Sequence, residues 1–174
     1  MLDSSWLIGL ITGGTAIVAS WVTSRGATRS ARVQAEVTAH AAEVAEARSR
    51  RRDAYREMSA AVHGLSEVYW RLEEADAVPE DHGRAAVLAQ MQTAARTALN
   101  EVTRASREVM LEGPTPVAEA AHAVRGAAII ANGLLGRLVT GGEEERSRYN
   151  AAHRDFRQEH LRFLGLARAA LEVN

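Results

Sequence analysis

Glu119-Ala120-Ala121-His122 sets a carboxylate and an imidazole one helical turn apart. This is the Glu-x-x-His spacing with which helical bundles hold a di-iron centre. Such a centre needs the motif twice, with further inward carboxylates. No second copy occurs in the chain. The plainer reading is a surface Glu and His, and no metal or other cofactor is expected. His153 and His160 lie on one predicted helix, with His160 between Phe156 and Phe163 on the apolar side. Imidazole changes charge near neutral pH, so a titrating switch is one reading. An edge histidine with one ring nitrogen hydrogen-bonded is the other. Arg48, Arg50, Arg51 and Arg52 form the densest charge cluster. They suit phosphates of nucleic acid or lipid head groups. Glu43, Glu46, Asp53 and Glu57 offer them partners at three- and four-residue spacing, which makes a solvated, salt-bridged face the favoured reading.

Composition narrows the classes further. The net charge is −1, so no overall basic field attracts nucleic acid, and nucleic acid is not an expected partner. Cysteine is absent, which rules out a disulfide and a thiolate zinc site. No Gly-rich phosphate loop, Ser/His/Asp arrangement or nucleophile elbow is present. The chain is therefore not expected to be an enzyme. All 21 basic residues are Arg, and Ala is abundant, the imprint expected of a GC-rich genome such as an actinobacterial one.

The elements that must position these residues read as all-α. Ala, Arg, Glu and Leu dominate, and each favours helix. Breaks at Asp76–Gly83, Gly113-Pro114-Thr115-Pro116 and Gly141-Gly142 predict helices near 27–76, 84–112, 116–140 and 143–172. Gly113 suits the left-handed position past a helix. Thr115 suits an N-cap, with Pro116 first inside the helix. Apolar stripes at three- and four-residue spacing predict the buried faces. They are Met58, Val62, Leu65, Tyr69 and Leu72; Leu88, Met91, Ala95, Leu99, Val102 and Val109; Val117, Val124, Ala128, Leu135 and Leu138; and Tyr149, Phe156, Phe163, Leu164 and Leu171. Short connections imply an antiparallel, up-down-up-down four-helix bundle. Gly126, Gly133 and Gly136 cost helix stability. Close approach of a neighbouring helix is the expected compensation, and a small-molecule pocket beside them is the alternative.

Ser4 to Ser24 carries no charge. As a helix it would be about 32 Å long, close to the hydrocarbon thickness of a bilayer. Trp6 and Trp21 fall near its two ends, where amphipathic rings favour the interface. Asp3 precedes the run, and Arg25, Arg29 and Arg32 follow it. The positive-inside rule then puts the N-terminal side outside and the bundle in the cytoplasm. The lipid bilayer is thus the first expected partner. A cleaved signal peptide would carry its positive charge before the run. A buried helix of a soluble protein would show a polar face. Gly9 and Gly13 form a GxxxG match continued by Ala16 and Ser20, a face suited to homodimerisation.

The expected organisation is a transmembrane anchor over 1–25, a helical stalk over 26–50 and an antiparallel bundle over 51–174. The stalk has only Val33, Val37 and Val44 as larger apolar residues, a thin seam for a coiled-coil dimer or a lone solvated helix. An outside N-terminus, one span and a long Ala/Glu/Arg helix resemble the b-type stator subunit of F-type ATP synthases over residues 1 to about 75. The breaks at Pro79, Gly113-Pro114 and Gly141-Gly142 depart from that family's single uninterrupted helix. The span, the Arg-rich stretch Trp21-Val22-Thr23-Ser24-Arg25-Gly26-Ala27-Thr28-Arg29 and the helical remainder are similar to small membrane-anchored actinobacterial proteins, including Kil-type proteins of plasmids and phages. That resemblance implies an envelope-associated or mobile-element role and carries over no functional residue. The expectation is a tethered bundle that contacts an unidentified protein partner at the cytoplasmic face. A sensor binding a ligand or proton in the bundle, and a membrane-perturbing effector, are the alternatives.

Overall fold

Runs of Ala, Leu, Arg and Glu lose little side-chain freedom in a helix, and the chain folds accordingly. The computed structural model describes residues 32–72, 83–138 and 142–172 in full, and residues 4–31 and 81–82 as helical backbone alone. Among the described residues are four helices: α1 Ser4–Trp70, α2 Asp81–Glu112, α3 Thr115–Arg137 and α4 Glu143–Glu172. The chain divides into two units, Met1–Glu46 and Ala47–Asn174.

In the first unit, the described side chains (residues 32–46) are all exposed. Val33, Val37 and Val44 are among them. Local pairs support this helix: Thr38 Oγ1 donates to the Gln34 carbonyl at 2.8 Å, and His40 lies 4.0 Å from Glu43. The anchor and the stalk expected on either side of Gly26 fall within one helix, α1, because one glycine costs only about 1 kcal/mol in a helix interior. Among the described residues no helix is long and apolar enough to cross a membrane. The uncharged run, with Trp6, Gly9, Gly13, Trp21, Arg25 and Arg29, lies outside the described side chains, whereas Arg32 is described and exposed.

In the second unit, named pairs fix the helix directions. Arg50 meets Glu112 and Arg104 meets Glu57, so α1 and α2 run antiparallel. Ser106 Oγ donates to the Ala121 carbonyl at 3.3 Å, while Gln92 lies against Gly136, so α2 and α3 run antiparallel. Tyr55 packs on Phe163 and Tyr69 on Tyr149, so α1 and α4 also oppose. The result is the up-down-up-down bundle expected of short connections.

The core follows the apolar periodicity closely. Met58, Val62 and Leu65 of α1, Met91 and Val102 of α2, Val124 and Leu135 of α3, and Phe156 and Phe163 of α4 are fully buried. Each such side chain contributes about 1.5–3 kcal/mol through burial. Ala95, Ala105, Ala121, Ala128 and Ala131 fill the narrower positions. Leu99 and Leu171 are only partly buried.

Four local expectations need correction. Leu164 is exposed, because it sits about 100° round the helix from buried Phe163. Gly113 is not left-handed: no described residue has positive φ. Its N–H donates to the Val109 carbonyl at 2.8 Å and extends the last turn of α2. What makes glycine necessary there is space, since a Cβ would stand 2.8 Å from the Val109 carbonyl oxygen and 3.2 Å from the Tyr55 hydroxyl. The N-cap position of α3 belongs to Pro114, extended at φ −66° and ψ 154°, and no side chain caps it. Its carbonyl accepts from Val117 and Ala118, so Thr115 and Pro116 lie inside the first turn, where a missing N–H costs nothing. Finally, Gly126 and Gly133 face open space and bring no helix closer, while Gly136 lies against the Gln92 side chain.

Candidate functional site

The first turns of α4 present residues 146, 149, 150, 153 and 157 on one face, at three- and four-residue steps. That face meets the C-terminal end of α1. Between them lies a cleft of about 230 Å³, lined by Tyr69 and Trp70 of α1, by Leu72 just beyond it, and by Arg146, Tyr149, Asn150, His153 and Arg157 of α4. Its inner wall is aromatic. The Tyr69 ring meets those of Tyr149, His153 and Phe156 edge-on at 6.0, 5.4 and 5.7 Å. His153 stacks between Tyr149 and Phe156 at 5.9 and 6.4 Å. Edge-to-face and offset-stacked rings at these distances match the aromatic quadrupole and fix each ring in place.

The polar edges of this wall are unequally satisfied. Tyr69 donates its hydroxyl to the Ala128 carbonyl at 3.3 Å. The Tyr149 hydroxyl and His153 Nε2 are buried and find no hydrogen-bond partner. Such orphaned groups are rare in proteins, because each forgoes its hydrogen bonds to water. Burial raises the pKa of both tyrosines, so the phenols stay protonated; at Tyr69 the neighbouring Tyr149 adds to the effect, and at Tyr149 the Arg146 charge opposes it. Burial lowers the pKa of His153, with the Arg157 charge acting the same way, so the imidazole is neutral at pH 7.

His160 lies two turns beyond His153 on α4, half-buried, with Nε2 also lacking a partner. Burial lowers its pKa, and facing His63 of α1 adds to the shift. His63 itself lies 3.8 Å from Glu67. The two histidines singled out from sequence are thus both half-buried, and they occupy different surroundings.

The remaining candidates are placed less favourably for chemistry. Glu119 and His122 are both exposed, beside a depression formed with Met110, Gly113, Thr115 and Ala118. Among the described residues no three His, Cys, Asp or Glu side chains gather within reach of one metal ion. The Arg48–Arg52 run is drawn into the bundle's own electrostatics. Arg50 pairs with the Glu112 carboxylate at 3.4 Å, and Arg51 Nε donates to the Glu112 main-chain carbonyl at 2.9 Å. Of the acidic partners expected from spacing, Asp53 approaches Arg56 at 3.7 Å. Glu57 reaches across to Arg104 of α2 at 2.6 Å, where Glu101 also pairs at 2.9 Å. These hydrogen bonds, to Glu101 first and then Glu57, raise the pKa of Arg104.

The cleft went unseen in the sequence because its residues come from opposite ends of the unit. The one visible signal was Tyr149, His153 and Phe156 at helical spacing, which reads equally as core. No protein-family model, no curated protein and no solved structure matches this chain.

Proposed function

We propose that this chain is a single-span, membrane-tethered helical bundle that works by protein–protein contact at the cytoplasmic face, without catalysing a reaction. One observation carries the reading: the uncharged run from Ser4 to Ser24 belongs to a continuous helix and is followed by Arg25, Arg29 and Arg32. The run has the length of a bilayer core, the tryptophans suit its two interfaces, and the arginines retain their side of the helix in the cytoplasm. Gly9 and Gly13 provide the small face through which two such anchors pair.

Exposed apolar residues on the bundle support the partner-binding part of the reading. Ile129 and Ile130 on α3 and Leu161 on α4 present large side chains to water. Single exposed apolar residues are ordinary, but adjacent isoleucines on one helix give a partner a ready anchor. The tether would hold that anchor near the membrane and raise its effective concentration for a partner there.

Topology fusions test this directly. The C-terminus is joined in one strain to a fluorescent protein that matures only in the cytoplasm, and in another to a phosphatase active only outside. Fluorescence in the membrane fraction without phosphatase activity is the expected result. Phosphatase activity would reverse the orientation, and fluorescence free of the membrane would remove the tether.

A further inference from the structure

The cleft between Trp70 and Arg157 combines features that core packing alone does not require. Among the described residues its lining holds two arginines and no carboxylate. Arg157 forms no ion pair with any described residue. Beside it, two buried hydrogen-bonding atoms, His153 Nε2 and the Tyr149 hydroxyl, lack partners. Tyr149 lines the cleft and is only 1 % exposed. Across the cleft, Trp70 leaves 57 % of its surface exposed at the end of α1. An arginine, two unmet hydrogen-bonding groups and an uncovered indole describe a ligand that is anionic, polar at two points and flat between them.

We propose that this cleft binds a small aromatic carboxylate, with its carboxylate between Arg157 and His153, its ring along Trp70, and a ring hydroxyl at Tyr149. Each assignment follows from chemistry. A guanidinium pairs with a carboxylate through two parallel hydrogen bonds, and His153 lies one turn away, positioned to give a third. Tyr149 lies a further turn along α4, about 6 Å from His153 between Cβ atoms, too far to share the same carboxylate. It therefore calls for a second polar group on the ligand, which a ring hydroxyl supplies. An indole face and the Tyr69 edge select a flat apolar body over a bare inorganic anion. The cleft is smaller than the roughly 300 Å³ at which drug-sized pockets begin, so the ligand is a single ring. The proposal is independent of the membrane tether and of any protein partner.

The test is calorimetric titration of the full chain in detergent micelles with 4-hydroxybenzoate, benzoate, benzamide and inorganic phosphate. The expected result is saturable binding of 4-hydroxybenzoate, weaker binding of benzoate, and none of benzamide. Arg157→Gln should weaken the carboxylates about tenfold, the scale of one charge-assisted hydrogen bond. Tyr149→Phe should leave benzoate unchanged and remove the preference for the hydroxylated ring. Circular dichroism melts confirm that each variant is folded. Absence of saturable binding, binding unaffected by Arg157→Gln, or phosphate binding as tight as 4-hydroxybenzoate would each overturn the proposal.

Discussion

Arg51 donates from Nε to the main-chain carbonyl of Glu112, 2.9 Å away, so a basic run on α1 caps the C-terminal end of α2. The last carbonyls of a helix lack intrahelical donors and carry partial negative charge, which a guanidinium satisfies on both counts. Arg50 reinforces it through the Glu112 carboxylate. Arg51→Ala is expected to cost about 0.5–1 kcal/mol, and less in high salt. Thermal melts at low and high ionic strength check this: the deficit should shrink as salt rises.

Two glycines should respond in opposite directions. Gly133 lies inside α3 with open space around it, so Gly133→Ala gains helix propensity and stabilises the bundle by about 0.5–1 kcal/mol. At Gly113 a Cβ would collide with the Val109 carbonyl, which is backbone and cannot yield cheaply. Gly113→Ala is expected to destabilise by about 1–3 kcal/mol, as overpacking does. Urea denaturation of the two variants side by side should give midpoints on either side of the parent.

Neighbouring residues on α4 should differ as sharply. Phe163 is fully buried and meets Tyr55 edge-on at 6.1 Å, whereas Leu164 is exposed. Phe163→Ala is expected to cost about 3–5 kcal/mol through lost burial and the cavity left behind. Leu164→Ala should stay within about 0.5 kcal/mol of the parent. Chemical denaturation that reversed this order would contradict the register of α4.

Acid should destabilise the bundle through its two half-buried histidines. Burial lowers the folded-state pKa of His153, aided by Arg157, and of His160, aided by His63. Below the ordinary value of about 6.5 the unfolded chain takes up protons that the folded chain refuses. Stability is therefore complete above pH 7, falls as the pH drops through 6.5, and levels off once the folded-state values are passed. Melts from pH 7.5 to 5.0 should show this slope. His153→Gln and His160→Gln should each flatten it, because each removes one of the two groups.

Much of this fold was legible because helix burial repeats at 3.6 residues, a period that sequence displays directly. Met58, Val62, Leu65 and Tyr69 could be read as one face without knowledge of what they face. The partner of each face could not be read in the same way. That Tyr69 meets Tyr149, or Arg51 the end of α2, depends on how far one helix slides along another, which many distant contacts settle together. Glycine misled for a related reason. Gly113 ends α2 as punctuation predicts, yet it is required by the Tyr55 and Val109 oxygens beside it and not by a left-handed turn. The candidate cleft remained hidden because Trp70 and Arg157 share no periodicity.

The seam joining Tyr55 to Phe163 and Tyr69 to Tyr149 links the earliest helix of the bundle to the latest. During synthesis at roughly 5–20 residues per second, the stretch from Tyr69 to Tyr149 takes several seconds to emerge. Through that interval the α1 side of the seam awaits its mate. A nascent chain can bring α1, α2 and α3 together, but it cannot close the ring. Ribosome stalling or truncation ahead of Tyr149 therefore leaves a sticky aromatic edge that chaperones and proteases can recognise, and completion of α4 is the step that removes it.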